Sequence, residues 1–174
     1  MKIPFSPPYI DDDIKREVMD TLESGWITSG PKVLALEKLV AEQTGLTHVA
    51  CCNSATSGLM LLLHWYGVTR GDEVIIPAYT YAATALVVMH LGAVPVLVDS
   101  GDDFNIDVGK IREKITSRTK VIIPVDIAGW PCAYHALFDL VNAPEVKAHF
   151  TPTNENQKKL ERIMVLSDAA HSLG

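Results

Sequence analysis

The chain has 174 residues, 48% of them hydrophobic and 21% charged, which is the balance of a globular protein with a substantial core. Its formal net charge is −6, with 15 Lys and Arg against 21 Asp and Glu and no basic stripe, so a nucleic-acid partner has no electrostatic support. The opening MKIPFSPPYIDDD lacks an apolar signal-peptide core, and apolar runs such as Ala82 to Met89 are far too short to span a bilayer; a cytoplasmic protein with no membrane partner is expected.

From Asp11 to Ser24 the apolar residues Ile14, Val18 and Leu22 recur every fourth position behind a run of aspartates, which predicts an amphipathic helix ended by Gly25. The loop Trp26-Ile27-Thr28-Ser29-Gly30 follows. Pro31 then opens a second helix, where proline is tolerated at the first turn, with Val33, Leu36, Leu39 and Val40 on one face and Gly45 at its end. Beyond Gly45 strands and helices alternate. Strands are expected at His48 to Cys52, Glu73 to Pro77, Val94 to Asp99, Lys120 to Ile127 and Ile163 to Asp168. Helices are expected at Ser54 to Trp65, Ala82 to Leu91, Asp107 to Ile115 and Ala133 to Val141, the third capped by Asp107. The strands are continuous Val/Ile/Leu runs, the pattern of strands covered on both faces, so the fold class is α/β with a mostly parallel sheet and helices on both faces. Asn142 to Lys159 is polar and long beside the roughly 2–6 residues usual for such connections; it reads as a surface excursion with a short helix near Asn156 to Glu161.

Three cysteines are present, Cys51, Cys52 and Cys132. The adjacent pair falls in a predicted strand, where neighbouring side chains point to opposite faces, and no second ligand pair exists at metal-binding spacing. No metal site is expected, and the three read as small buried hydrophobes.

In open parallel sheets ligands bind at the carboxyl ends of the strands. Four such places carry polar or aromatic residues. Asn53-Ser54-Ala55-Thr56-Ser57 leads into a helix whose free N–H groups and dipole suit a phosphate, although a plain helix cap has the same look. No G-x-G-x-x-G or G-K-[ST] accompanies it, so dinucleotide and P-loop readings fail. Pro77-Ala78-Tyr79-Thr80-Tyr81 offers two aromatic faces for a ring or for core packing. Asp126-Ile127-Ala128-Gly129-Trp130-Pro131 ends a strand in a turn. In Ser167-Asp168-Ala169-Ala170-His171-Ser172 the aspartate closes a buried run, where it needs a cationic or hydrogen-bonding partner such as a pyridinium nitrogen or an arginine.

Together with Gly25-Trp26-Ile27-Thr28-Ser29-Gly30-Pro31 and Glu37, Gly92-Ala93-Val94-Pro95 and Asp99, and the closing Leu173-Gly174, these junctions resemble the DegT–StrS family of pyridoxal-phosphate (PLP)-dependent sugar aminotransferases. The resemblance covers nearly the whole chain. It implies the large domain of the fold-type I PLP-transferases, with residues 1–46 as an N-terminal helical segment carrying the active-site mouth and 47–174 as part of the PLP-binding domain. It implies pyridoxal 5'-phosphate as cofactor, with Ser54, Ala55 and Thr56 on its phosphate, Tyr81 stacked on its ring, Asp168 on its pyridine nitrogen and His171 beside the ring. Thr28 and Ser29 would line a mouth shared by the two subunits of a homodimer. The implied reaction moves an amino group from an amino acid, glutamate above all, to a keto group of a nucleotide-linked sugar.

The pattern departs from the family in one respect. No lysine stands in the context of the family's Schiff-base lysine, and the small C-terminal domain has no counterpart here. On this reading no catalytic residue lies in the chain, which is expected to be inactive and to hold PLP at most by weak non-covalent contacts. The sheet is expected to be incomplete, with His48 to Cys52 lacking its usual neighbours and an exposed seam inviting association. Two other readings remain open: a regulatory or binding protein reusing the fold, and a PLP-dependent sugar dehydratase with histidine in place of the lysine.

Overall fold

The computed structural model describes residues 7–173. Residues 1–6, the start of the segment read for a leader, and Gly174, the end of the last motif, lie outside them. The chain divides into two compact units, one ending at Cys51 and one spanning Cys52–Leu173.

The first unit holds two helices, α1 (Asp12–Glu23) and α2 (Pro31–Thr44). The Asp11 carboxylate accepts from the Ile14 N–H at 2.9 Å and so caps α1, while Gly45 ends α2 in the left-handed conformation. Neither helix buries a residue fully. The strand predicted at His48 to Cys52 is absent. A strand exists only as one side of a ladder, and no described segment pairs with this one. The Cys51 N–H donates instead to the Glu37 carboxylate, at 2.8 Å. Cys51 and Cys52 are consequently exposed, against the expectation of burial; Cys132 alone of the three is buried.

The second unit is a parallel sheet with helices on both faces. Its strands are β1 (Glu73–Pro77), β2 (Val94–Val98), β3 (Thr119–Ile122) and β4 (Met164–Val165), in the spatial order β2-β1-β3-β4. Every residue of β1 and β3 is buried, the polar Glu73, Thr119 and Lys120 at their starts included. Beyond Ile122 the ladder thins, because Pro124 has no N–H to donate. Pairing resumes at a bridge between Val125 and Asp168, so the two strand ends stay side by side. The expected strands Lys120 to Ile127 and Ile163 to Asp168 are thus shorter than their apolar runs.

Helices α3 (Ala55–Tyr66), α4 (Ala82–His90), α5 (Val108–Ile111) and α6 (Tyr134–Asn142) connect or precede the strands. The path from β1 to β2 runs one way across the sheet, and those from β2 to β3 and β3 to β4 run the other way. With right-handed crossovers this puts α4 on one face and α5 and α6 on the opposite face. The packing agrees, since α3 contacts α4 and α5 contacts α6. Leu63, Ile75, Val87, Ile122 and Leu137 are wholly buried in the resulting core. The chain reverses direction between β1 and β3, which opens the crevice where such sheets bind ligands.

The polar segment after α6 is more than the surface excursion expected. It forms α7 (Pro144–His149) and α8 (Glu155–Leu160), the latter close to the predicted short helix. Val146, Phe150 and Gln157 from this stretch are buried.

Candidate functional site

Three segments of the second unit, the start of α3 and the loops after β1 and β4, converge where the sheet reverses. At the first, Ser54 stands in extended conformation as the N-cap of α3, and its hydroxyl oxygen accepts from the Ser57 N–H at 3.1 Å. The N–H groups of Ala55 and Thr56, in the first turn, have no carbonyl within the helix to bond and point with the positive end of the helix dipole. At the second, Tyr81 precedes α4 and is 82% exposed, so its ring is presented rather than packed. At the third, Asp168 follows β4, one residue beyond the short run Leu166-Ser167.

A cavity of about 340 Å³ joins these places, within the ~300–1,000 Å³ range of small-molecule sites. Ala55, Thr56, Tyr81, Asp126, Asp168 and His171 line it. A helix N-terminus, an aromatic face and a carboxylate therefore meet around one volume. Ser54 acts as the cap behind it. Thr28 and Ser29 lie on the α1–α2 loop of the first unit, where the Ser29 carbonyl accepts from the Trp26 indole N–H at 2.9 Å; they are not among the residues lining this cavity. A larger groove on the first unit, beside Ile14, Val18 and Leu22, is lined also by Asp13, Thr21 and the Lys32–Glu17 ion pair but by no aromatic face. The chemistry points to the smaller cavity.

Asp168 is held by a relay of hydroxyls. Thr84, fully buried on α4, donates to Asp168 Oδ2 at 3.2 Å, and this direction requires Thr80 to donate to the Thr84 oxygen at 2.9 Å. Thr84 reaches the carboxylate directly, and Thr80 acts on it through Thr84. The second carboxylate, Asp126, is buried. Burial alone would raise its pKa, but donation from the Cys132 N–H and from the Ser172 and Tyr134 hydroxyls outweighs this and holds it below the usual value. The Cys132 thiol is pushed up to about 12 by burial and by the neighbouring Asp126 charge, so it stays protonated and donates to the Val125 carbonyl.

Sequence reasoning placed Ala55, Thr56, Tyr81, Asp168 and His171, and the fold brings them to one cavity. Thr84 and Tyr134 lie outside the sequence motifs, and Asp126 and Ser172 stand within two of the four strand-end places without an assigned role. Thr84 carried a signal, being a lone hydroxyl in the middle of the apolar run Ala82 to Met89. Asp126 carries the same signal as Asp168, an acid at the end of an apolar strand, beside the plain-turn reading of its segment.

A family model for the DegT/DnrJ/EryC1/StrS aminotransferase family matches residues 8–148. The chain is 40% identical to the UDP-4-amino-4-deoxy-L-arabinose–oxoglutarate aminotransferase of Shewanella sediminis, over 99% of this chain and 40% of that protein. It is 36% identical to the spore coat polysaccharide biosynthesis protein SpsC of Bacillus subtilis, over 98% of this chain and 40% of that protein. Among solved structures it resembles the putative sugar aminotransferase Spr1654 from Streptococcus pneumoniae in its PMP form, with a TM-score of 0.95 and 46% identity, covering all of this chain and 44% of that one. The same protein in its PLP form matches equally well. The chain thus spans about two fifths of the length of the relatives it matches. The family match over residues 8–148, with the relatives and the fold agreeing, shows that the chain belongs to the DegT/DnrJ/EryC1/StrS aminotransferase family.

Proposed function

We propose that this chain forms the phosphate and ring-nitrogen half of a pyridoxal-phosphate site, and that the whole protein moves an amino group from an amino acid, glutamate above all, to a keto group of a nucleotide-linked sugar. The observation that carries this reading is the cavity joining the N-terminus of α3, Tyr81 and Asp168. Its donor set fits the cofactor. The Ala55 and Thr56 N–H groups and the Thr56 hydroxyl suit a phosphate dianion, as helix N-termini do generally. The Asp168 carboxylate suits a protonated ring nitrogen, and Tyr81 supplies a face for the ring. When bound, the cofactor supplies an electron sink for carbanion chemistry at the substrate.

Each residue then has a task. Asp168, whose Oδ2 accepts from Thr84, would hold a proton on the ring nitrogen. Thr84 and Thr80 fix the direction of that carboxylate. His171, exposed at the cavity edge, stands where it can donate to an oxygen of ligand or substrate. The small Ala55 leaves the helix N-terminus open to the phosphate. No lysine is among the described residues lining the cavity, and on this reading the chain would hold the cofactor without a covalent link. A homodimer, with Thr28 and Ser29 at a shared mouth, completes the proposal for the whole protein. Related proteins carry names from sugar amination and spore coat polysaccharide synthesis, which supports a keto-sugar acceptor.

Titration of the chain with pyridoxal phosphate, followed by absorbance, tests the reading. Saturable binding is expected, weakened about tenfold or more by Asp168→Ala, since a charge-assisted hydrogen bond contributes roughly 1.5–3 kcal/mol. Borohydride treatment should leave no lysine adduct. Absence of saturable binding, or binding indifferent to Asp168→Ala and Thr56→Val, would overturn the assignment.

A further inference from the structure

Asp126 is 5% exposed, and a carboxylate so far from water is costly unless donors surround it. It has them. Oδ1 accepts from the Cys132 N–H at 2.9 Å and from the Tyr134 hydroxyl at 2.8 Å, and Oδ2 accepts from the Ser172 hydroxyl at 2.7 Å. Because Tyr134 donates to Asp126, the hydrogen bond between Tyr134 and Ser167 is donated by Ser167. The loop that carries Asp168 and His171 is therefore tied at both ends, at Ser167 through Tyr134 and at Ser172 directly, to one carboxylate.

The backbone adds to the same joint. The Asp126 N–H donates to the Asp168 carbonyl at 3.1 Å, and the Asp168 N–H donates to the Pro124 carbonyl at 2.9 Å. Asn105, 1% exposed, braces the other side: its amide oxygen accepts from the Ile127 N–H at 3.2 Å, and its amide nitrogen donates to the Trp130 carbonyl at 3.1 Å. The ends of β2, β3 and β4 are thus fastened through two buried polar side chains, neither of which has a place in the ligand contacts assigned above.

We propose that Asp126 is a positioning residue, whose buried carboxylate latches the segment 167–172 through Tyr134 and Ser172 so that Asp168 and His171 face the cavity in a fixed geometry. Asp126 borders the cavity, but its three donors come from the protein, so its role runs through the loop. The consequence for cofactor binding rests on the pyridoxal-phosphate reading; the latch itself is a property of the chain alone.

The test uses Ser172→Ala, Ser172→Thr and Asp126→Asn in the whole chain. Three quantities are read: amide hydrogen exchange at Asp168 and Ser172 without ligand, the dissociation constant of labelled pyridoxal phosphate, and its pyridine 15N shift. Ser172→Ala and Asp126→Asn are expected to speed exchange at both amides about tenfold. They should also weaken cofactor binding by a similar factor and move the pyridine 15N signal toward its deprotonated position. Ser172→Thr, which keeps the hydroxyl, should restore all three. Unchanged exchange in Ser172→Ala overturns the latch. So does loss of affinity in Asp126→Asn with unchanged exchange, because that pattern belongs to direct ligand contact. If exchange rises as expected while the unsubstituted chain binds no pyridoxal phosphate, the latch stands and the cofactor reading falls. If Asp126→Asn does not fold, Ser172→Ala decides alone.

Discussion

Gly129 occupies the left-handed region at φ +83°, and a Cβ there would stand 2.7 Å from the carbonyl oxygen of His171. The turn after β3 can approach the His171 loop this closely only without a side chain. Gly129→Ala should therefore cost about 2 kcal/mol, from backbone strain and from displacing the loop. Urea unfolding measures the cost, and the His171 ring signals in an NMR spectrum should shift with it; an unchanged midpoint and unchanged ring signals would contradict the close approach. This position also marks what could be read in advance. Asp168 was legible because a carboxylate closing an apolar strand demands a partner. The partners of Asp126 were not, because Ser172 stands 46 positions along the chain and reaches it only through the parallel pairing of two strands.

Helix α3 is held at both ends by different chemistry. Its N-terminus lines the cavity, while its C-terminal carbonyls are met by α8: Asn154 and Gln157 each donate to the Tyr66 carbonyl at 3.0 Å, and Asn156 donates to the Trp65 carbonyl at 2.8 Å. Gln157 is fully buried and also accepts from the Thr153 N–H at 2.9 Å. Gln157→Ala removes the acceptor of the Thr153 N–H and one of the two donors on the Tyr66 carbonyl, and should cost about 2 kcal/mol or more, whereas Asn156→Ala, at an exposed bond, should cost about 1 kcal/mol or less. Equal effects in chemical denaturation would refute the clamp. The polarity that made this segment look like a surface excursion is that of a buried cap, a distinction invisible without the helix end it serves. The helices themselves were legible from periodicity and caps, as at Asp11 and Asp107, whose carboxylates accept from the Ile14 and Gly109 N–H groups. The strand at His48 to Cys52 was not, because pairing depends on a neighbour and not on the segment's own composition.

At the scale of the whole molecule the apolar runs sufficed for an α/β sheet and its ligand-bearing edge, since burial on both faces leaves a composition signal that survives without contacts. The electrostatics had to be seen in place, and they set a pH window for stability. Glu73, at the opposite end of β1 from the cavity, would be raised by burial, but donation from Thr116, Arg118 and Thr119 leaves its pKa lowered; Asp126 is lowered for the corresponding reasons. A group depressed in the folded state contributes stability above its unfolded value, about 4.3 for Glu and 3.9 for Asp, and loses it as pH falls through the folded value. At the alkaline end burial raises Cys132 and Tyr66, each to about 12. Their contribution is complete below the unfolded values of about 8.5 and 10 and disappears as pH climbs through the folded ones. Lys120, lowered by burial, works in the opposite direction near pH 10 and blunts that limb. The melting temperature is thus expected to be flat from about pH 5 to 8 and to fall on both sides. Glu73→Gln should lower the plateau and flatten the acid limb, while Cys132→Ser should delay the onset of the alkaline one. An acid limb of unchanged slope in Glu73→Gln, with folding otherwise intact, would show that the carboxylate at the foot of β1 does not govern acid stability.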